Sequence, residues 1–416
     1  MNLYAKRREK VLSKMQVGSL MLLYSGEAVP GSLDASLPFD ANHPFFYLTG
    51  LRRENMALLV LKRESSEKML LFIEEPKPRE ERWTGRRVRP EEAKAVSGID
   101  DVLYLDELES QLSRFLSRNT WEAAYFDCYR NAVGDLESYN LAKARQFSAA
   151  YPAIRIMDAH ALLTPMRMVK DDEEVLAIEK AIELTDKGLV RVMHELRPGM
   201  KEYQAQAEFE YQIRMLGAEG MAFPTIAGSG ANGCMLHYEE NCSEMKAGQL
   251  LLMDLGARYN GYCADVTRTF PVSGRYSDRQ KEIYDAVLAA NLAVQDAAKP
   301  GLSLKDLNDV CKTVLAEKLQ KMGKIADPSE VGRYYMHSVS HHLGIDTHDA
   351  ALEEILLAPG MVITDEPGLY IDEEEIGIRI EDDLLITEQG CICLTQKIPK
   401  TTEAIEACMN EKEGNL

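Results

Sequence analysis

QLLLMDLGARYNGYCADVTRTFPV (residues 249–272) reads as two apolar strands joined at Asn260-Gly261, the strongest short-range signal for a two-residue type I′ hairpin. With that turn, Tyr259 faces Tyr262, and counting back along both strands sets Gly256 opposite Asp265. Asp254 then shares a face with Gly256, diagonal to Asp265. Diagonal neighbours lie about 7–8 Å apart at Cα, so both carboxylates are expected to lean over the side-chain-free patch of Gly256. The run LLLMDLG is too apolar for a solvated acidic hairpin. Two aspartates held close among apolar residues repel each other unless a cation neutralises them.

A second stretch, MVITDEPGLYIDEEEIGIRIEDDLLI (361–386), repeats the plan. Glu366 leaves a β-rich strand just before Pro367-Gly368. In the returning strand, Gly377, Arg379, Glu381 and Asp383 share one face, while Ile376, Ile378 and Ile380 take the other. Arg379 is placed to orient a carboxylate through its forked donors. Upstream, ELRPGMKEYQAQAEFEYQIRMLG (195–217) is similar to AAKPGLSLKDLNDVCKTVLAEKLQKMG (297–323), each reading helix, Pro-Gly turn, helix. Each copy then carries a histidine followed by an acid leaving a strand: His237 and Asp254, seventeen apart, and His348 and Glu366, eighteen apart. Glu381 matches Asp265 in this alignment. A duplication with pseudo-twofold symmetry would aim all four acids at one centre. Four carboxylates with an imidazole form a hard, oxygen-rich set that suits Mn2+, and Co2+ or Zn2+ less selectively, in a two-metal site. A single structural zinc would take more histidine or cysteine.

A chain of 416 residues is long for one core, and the texture changes near Pro165, which reads as a hinge. Residues 1–165 alternate β-rich and helical runs, with apolar stretches at 19–26, 45–50, 56–62, 68–75 and 122–128, as an α/β domain does. Residues 166–416 show long helices of period 3.6 and the acidic hairpins, an α+β domain. The net charge of −19 excludes a nucleic-acid partner and favours divalent cations; the one basic run, EERWTGRRVRP (80–90), is too short to reverse it. No membrane span and no signal peptide are expected, because MNLYAKRREKVLSKMQ lacks an apolar core and reads as an amphipathic helix. The eight cysteines show no paired metal-site spacing and read as free thiols of a reducing cytoplasm. GSGANG (228–233) fits a dinucleotide-binding pattern, but no helix follows to meet a pyrophosphate; its small residues are expected to let backbone pass close to a substrate.

HSVSHHLGIDTHD (337–349) crowds four histidines into thirteen positions. Together with DLGARYNGYCADVTRTFPVSG, TDEPGLYI and GIRIEDDLLI, it resembles the pita-bread metallopeptidases, which include methionine aminopeptidase, prolidase, aminopeptidase P and creatinase. PFFYLTG and ERWTGRR resemble the N-terminal domain of the aminopeptidase P group. The resemblance implies an α/β N-terminal domain (1–165) before a pita-bread catalytic domain (166–416). It implies metal ligands at Asp254, Asp265, His341, Glu366 and Glu381, and substrate-side histidines at His237 and His348. Arg379 and Tyr370 would stand behind the ligands and help to bind substrate, and His337 and His342 would support or fill. Trp83, read as part of a surface loop, would reach toward a neighbouring subunit's active site in a homodimer or homotetramer.

The activity so implied is release of the N-terminal residue from peptides with proline second. Water shared by two ions, bridged by Asp265 and Glu381, would attack as hydroxide. A histidine N–H would stabilise the oxyanion, and Glu366 would shuttle the proton to the leaving nitrogen. Prolidase, restricted to Xaa-Pro dipeptides, shares every ligand and is the alternative. Creatinase-like chemistry without metals, and a non-catalytic binding module, are disfavoured by the intact ligand set.

Overall fold

Strands from the first third of the chain pair into a six-stranded sheet in the order Val102–Tyr104, Ser66–Ile73, Ala57–Arg63, Ser19–Tyr24, Ala123–Phe126, Arg155–Asp158. The pairings of 57–63 with its two neighbours are antiparallel and the rest are parallel. The central strands, SLMLLY and ALLVLKR, are continuous apolar runs because helices cover both faces of the sheet. The computed structural model describes residues 2–130 and 132–411. It divides the chain into two compact units, Met1–Thr164 and Pro165–Leu416.

Two local expectations fail in the first unit, both at short helices with a proline in the first turn. The apolar run at 45–50 is not a strand but the end of helix His43–Thr49. The Asn42 side chain accepts from the Phe45 N–H and Pro44 occupies the first turn, so the start is fixed by local chemistry that outweighs β propensity. Trp83 lies not in a loop but on helix Pro78–Thr84, which also opens on a proline and stops at Gly85. Pro165, read as a hinge, sits inside helix His160–Met168, which continues past the missing N–H, and the two units divide immediately before it.

In the second unit, Asp172–Glu195 packs on Glu202–Met215, and Asp278–Ala297 packs on Leu304–Lys321. Reciprocal capping boxes at Asp171/Glu174, Ser277/Gln280 and Ser303/Asp306 set three of the four helix starts. Each pair precedes one acidic hairpin. In the first hairpin Tyr259 faces Tyr262 across Asn260-Gly261, both residues having positive φ, and Asp254 faces Thr267. Carried one step further, this register sets Gly256 opposite Asp265, as expected. The reason for Gly256 differs: a Cβ there would collide with the Ala264 carbonyl, so glycine serves the crossing chain rather than the carboxylates.

The second hairpin pairs Asp365 with Asp382 and Gly368 with Arg379 in one continuous register. That register makes Glu366 and Glu381 direct opposites, whereas the acids of the first hairpin are diagonal. The duplication is therefore not a strict repeat at its centre. The halves are joined where the Glu381 N–H donates to the Thr267 carbonyl (3.0 Å). Arg268, fully buried, reinforces the seam by donating to the carbonyls of Thr267, Glu381 and Pro399 and to the Asp382 carboxylate at 2.8 Å. Among the described residues no helix is long and apolar enough to cross a membrane, and all eight cysteines are unpaired.

Candidate metal centre

The two hairpins and the histidine segment bring their acids and one imidazole together. A donor atom from each of Asp265, His341 and Glu381 lies within 4.8 Å of the other two. His341 Nε2 is 3.4 Å from Asp265 Oδ2 and 3.7 Å from Glu366 Oε1. Asp254 accepts from Arg379 Nη2 at 2.6 Å through Oδ2, while its Oδ1 is buried with no hydrogen-bond partner. A buried carboxylate oxygen without a donor is costly; a cation would satisfy it.

The electrostatics agree. Burial first, then repulsion from Glu381, Asp254, Asp383 and Glu366, holds the Asp265 carboxyl well above the usual range. Glu381 is raised in the same way, by burial and then by Glu366 and Asp254. Burial pushes Glu366 up to about 8, although Arg379 pulls the other way. Acids held in this state gain most from a multivalent cation, and the donor set is the hard one that divalent metals take.

A hydrogen-bonded shell fixes these groups. The Thr267 hydroxyl donates to Glu381 Oε2 (2.6 Å) and accepts from Arg379 Nε (3.1 Å). Arg379 Nη1 donates to the Tyr370 hydroxyl at 2.9 Å. His337 Nδ1 lies 2.8 Å from the Ser338 carbonyl, so its N–H points there and Nε2 accepts from Tyr370 at 2.9 Å. A relay thus runs from Asp254 through Arg379 and Tyr370 to His337, whose Nδ1 is 3.7 Å from Glu366. His341 Nδ1 is 3.0 Å from the His342 carbonyl; with the proton there, the Nε2 lone pair faces Asp265 and Glu366. Burial lowers the His341 pKa to about 3, keeping the ring neutral and able to ligate. Asp383 stands behind, accepting from the Asp265 N–H (3.3 Å).

A cavity of about 580 Å³ opens onto this cluster. Asp254, Asp265, His341, Glu366, Glu381 and Arg379 line it together with His237, His348 and His337, against an apolar wall that includes Phe223, Pro224, Ile226 and Leu236. The His348 ring packs edge-on to His341, 4.2 Å between centroids. Tyr370, 1 % exposed, lies beneath the surface, bonded to Arg379 and His337. Trp83 belongs to the other unit, where it is 82 % exposed. Of the two histidines expected to support or fill, His337 lines the cavity and bonds Tyr370, while His342 is buried away from it. Thr267 escaped sequence reasoning; the only signal was its place opposite Asp254 in the hairpin register.

Residues 177–388 match the model of metallopeptidase family M24, and residues 4–125 match the aminopeptidase P N-terminal domain. The Xaa-Pro aminopeptidase of Escherichia coli (strain K12) is 35 % identical, aligned over 98 % of this chain and 97 % of its own. The chain belongs to metallopeptidase family M24, in its aminopeptidase P group. It is accordingly a metallo-aminopeptidase, and the non-catalytic alternative falls away. A Bacillus anthracis structure provisionally assigned as an aminopeptidase P is 39 % identical with a TM-score of 0.95, covering 98 % of this chain and 97 % of that one. Aminopeptidase P from Escherichia coli, solved with the inhibitor Pro-Leu, is 34 % identical with a TM-score of 0.88 over the same shares. The expected architecture, an α/β N-terminal domain ahead of a pita-bread catalytic domain, is the one these relatives share.

Proposed function

We propose that this chain is a Xaa-Pro aminopeptidase whose site holds two divalent ions, Mn2+ by preference, through Asp254, Asp265, His341, Glu366 and Glu381. The observation that carries this reading is the buried cluster of mutually repelling acids around His341, with an Asp254 oxygen that has no other partner. Mn2+ is favoured by the oxygen-rich donors, and Co2+ or Zn2+ would substitute; the Escherichia coli relative is known in a zinc-substituted form with product. The bound ions would acidify water to hydroxide near neutral pH and polarise the scissile carbonyl.

The protein's own groups do the rest. Asp265 and Glu381 would help to hold the ions, with Glu381 fixed by the Thr267 hydroxyl and Asp254 by Arg379. Glu366, beside His341, would take the proton of the attacking water and return it to the leaving nitrogen. His237 and His348, on the cavity wall, would donate N–H groups to the developing oxyanion and hold the peptide, with Arg379 and Tyr370 keeping the ligands in place. The nitrogen of a prolyl peptide bond carries no N–H, so peptidases that grip that group fail on it. A cytoplasmic setting belongs to this reading, supported by the unpaired cysteines.

The test is turnover of an Xaa-Pro dipeptide against a longer Xaa-Pro-Xaa peptide, with metal content measured on the same sample. The longer peptide should be cut faster. The relative's Pro-Leu inhibitor, a proline followed by one more residue, supports this order. Cleavage confined to the dipeptide would move the assignment to prolidase.

The same reading makes Trp83 an anchor between subunits of a homodimer or homotetramer. Its ring is left 82 % exposed on a short helix, and exposed Trp flanked by Arg is typical of interface hot spots. Trp83→Ala should raise KM about 10-fold or more, at hot-spot scale, and shift assembly in light scattering while metal content stays full. A fully active monomer would overturn it.

A further inference from the structure

GSGANG (228–233) takes no part in the chemistry above, and none of its residues lines the cavity. A Cβ on Gly377 would collide with the Gly233 carbonyl, so the small residues let this segment pass against the strand that carries Arg379. What organises the segment is Glu202, at the start of helix Glu202–Met215 and fully buried. Its carboxylate takes five neutral donors. Oε1 accepts from the Ser229 N–H (2.8 Å), the Ser229 hydroxyl (2.7 Å) and Asn232 Nδ2 (3.0 Å). Oε2 accepts from the Tyr238 hydroxyl (2.9 Å) and the Ser243 N–H (2.8 Å). These donors bracket His237 on both sides in sequence. Tyr238, its immediate neighbour, also sends its ring into a small core with Ile226, Leu252 and Tyr370, and Leu236 packs against that core. The residues on either side of His237 are thus anchored while His237 itself lines the cavity.

We propose that Glu202 is a positioning residue for the reaction: by gathering Ser229, Asn232, Tyr238 and Ser243 on one buried carboxylate, it fixes the direction in which His237 enters the cavity. The inference rests on the reading of His237 as a substrate-side histidine. It also explains why the residue must be Glu. Each oxygen accepts a backbone N–H, one from Ser229 and one from Ser243. A glutamine, in either orientation of its amide, sets an NH2 against one of those donors, so one clamp must open.

The experiment is a double-mutant cycle on the full Mn2+-loaded chain, with Xaa-Pro-Xaa turnover, metal content and melting temperature read for Glu202→Gln, His237→Ala and the pair. Glu202→Gln should lower kcat/KM roughly 10–100-fold, the scale on which misplaced active-site groups cost activity, with metal content unchanged. In the His237→Ala background the same substitution should cost less than about 2-fold, because its target is gone. A purely structural role lowers the melting temperature but costs the same factor in both backgrounds, and that result overturns the proposal. If His237→Ala alone is as active as the parent, it is the reading of His237 that fails. Should Glu202→Gln not fold, Tyr238→Phe removes a single donor and runs through the same cycle, with the same coupling expected and additivity again overturning it.

Discussion

Asp265→Asn is expected to lose turnover by about 10³-fold or more, since a bound ion supplies several kcal/mol to the transition state and each 1.36 kcal/mol is tenfold. A neutral amide holds a divalent cation more weakly than a carboxylate does, so metal content should fall with activity. Stability adds a signature that activity alone lacks. Asp265 is 3 % exposed, and its neighbours Glu381, Asp254, Asp383 and Glu366 all disfavour its charge. Removing that charge relieves repulsion, so without metal the mutant should melt no lower than the parent. With Mn2+ the order should reverse, because only the parent gains the stabilisation of a tightly bound ligand, about 2.7 kcal/mol at a hundredfold excess over Kd. Chelation of the parent should abolish activity and Mn2+ should restore it best. Equal rises in melting temperature with Mn2+ would remove Asp265 from the ligand set, and full activity of a metal-free preparation would end the two-ion reading.

His348→Ala should cut turnover about 10²–10³-fold, the usual cost of losing one donor to a developing oxyanion, while metal content stays near that of the parent. The separation is a sharp one here because the His348 ring lies against His341, 4.2 Å between centroids. If the ring is itself a ligand, the mutant will lose metal along with activity. In that event the donor role passes to His237 alone, and the choice of His341 as the ligand must be reopened. Metal content measured beside kcat decides between the two.

Much of the centre was legible in the amino-acid order because hairpins obey local rules. Asn260 and Gly261 can adopt the positive φ that the turn needs, and the two-residue period of a strand then carries Asp254 and Asp265 onto one face. The same period lined up Arg379, Glu381 and Asp383. Local rules also misled where capping competed with apolar pattern, as at Asn42-His43-Pro44, where a side-chain cap and a proline start a helix in a run that reads as a strand.

What the sequence by itself determined, then, was the identity of the acids, the turn that pairs the first two, and the family. Tertiary structure alone decided how they are held. Thr267 reaches Glu381 across 114 positions, Arg379 reaches Asp254 across 125, and Glu202 gathers residues up to 41 positions away. Sequence periodicity reports which face a side chain takes; it carries no record of which distant donor will meet it. That meeting depends on the packing of two hairpins and two helix pairs, which brings like charges together at a cost that nothing in the local sequence offsets and that a bound cation would.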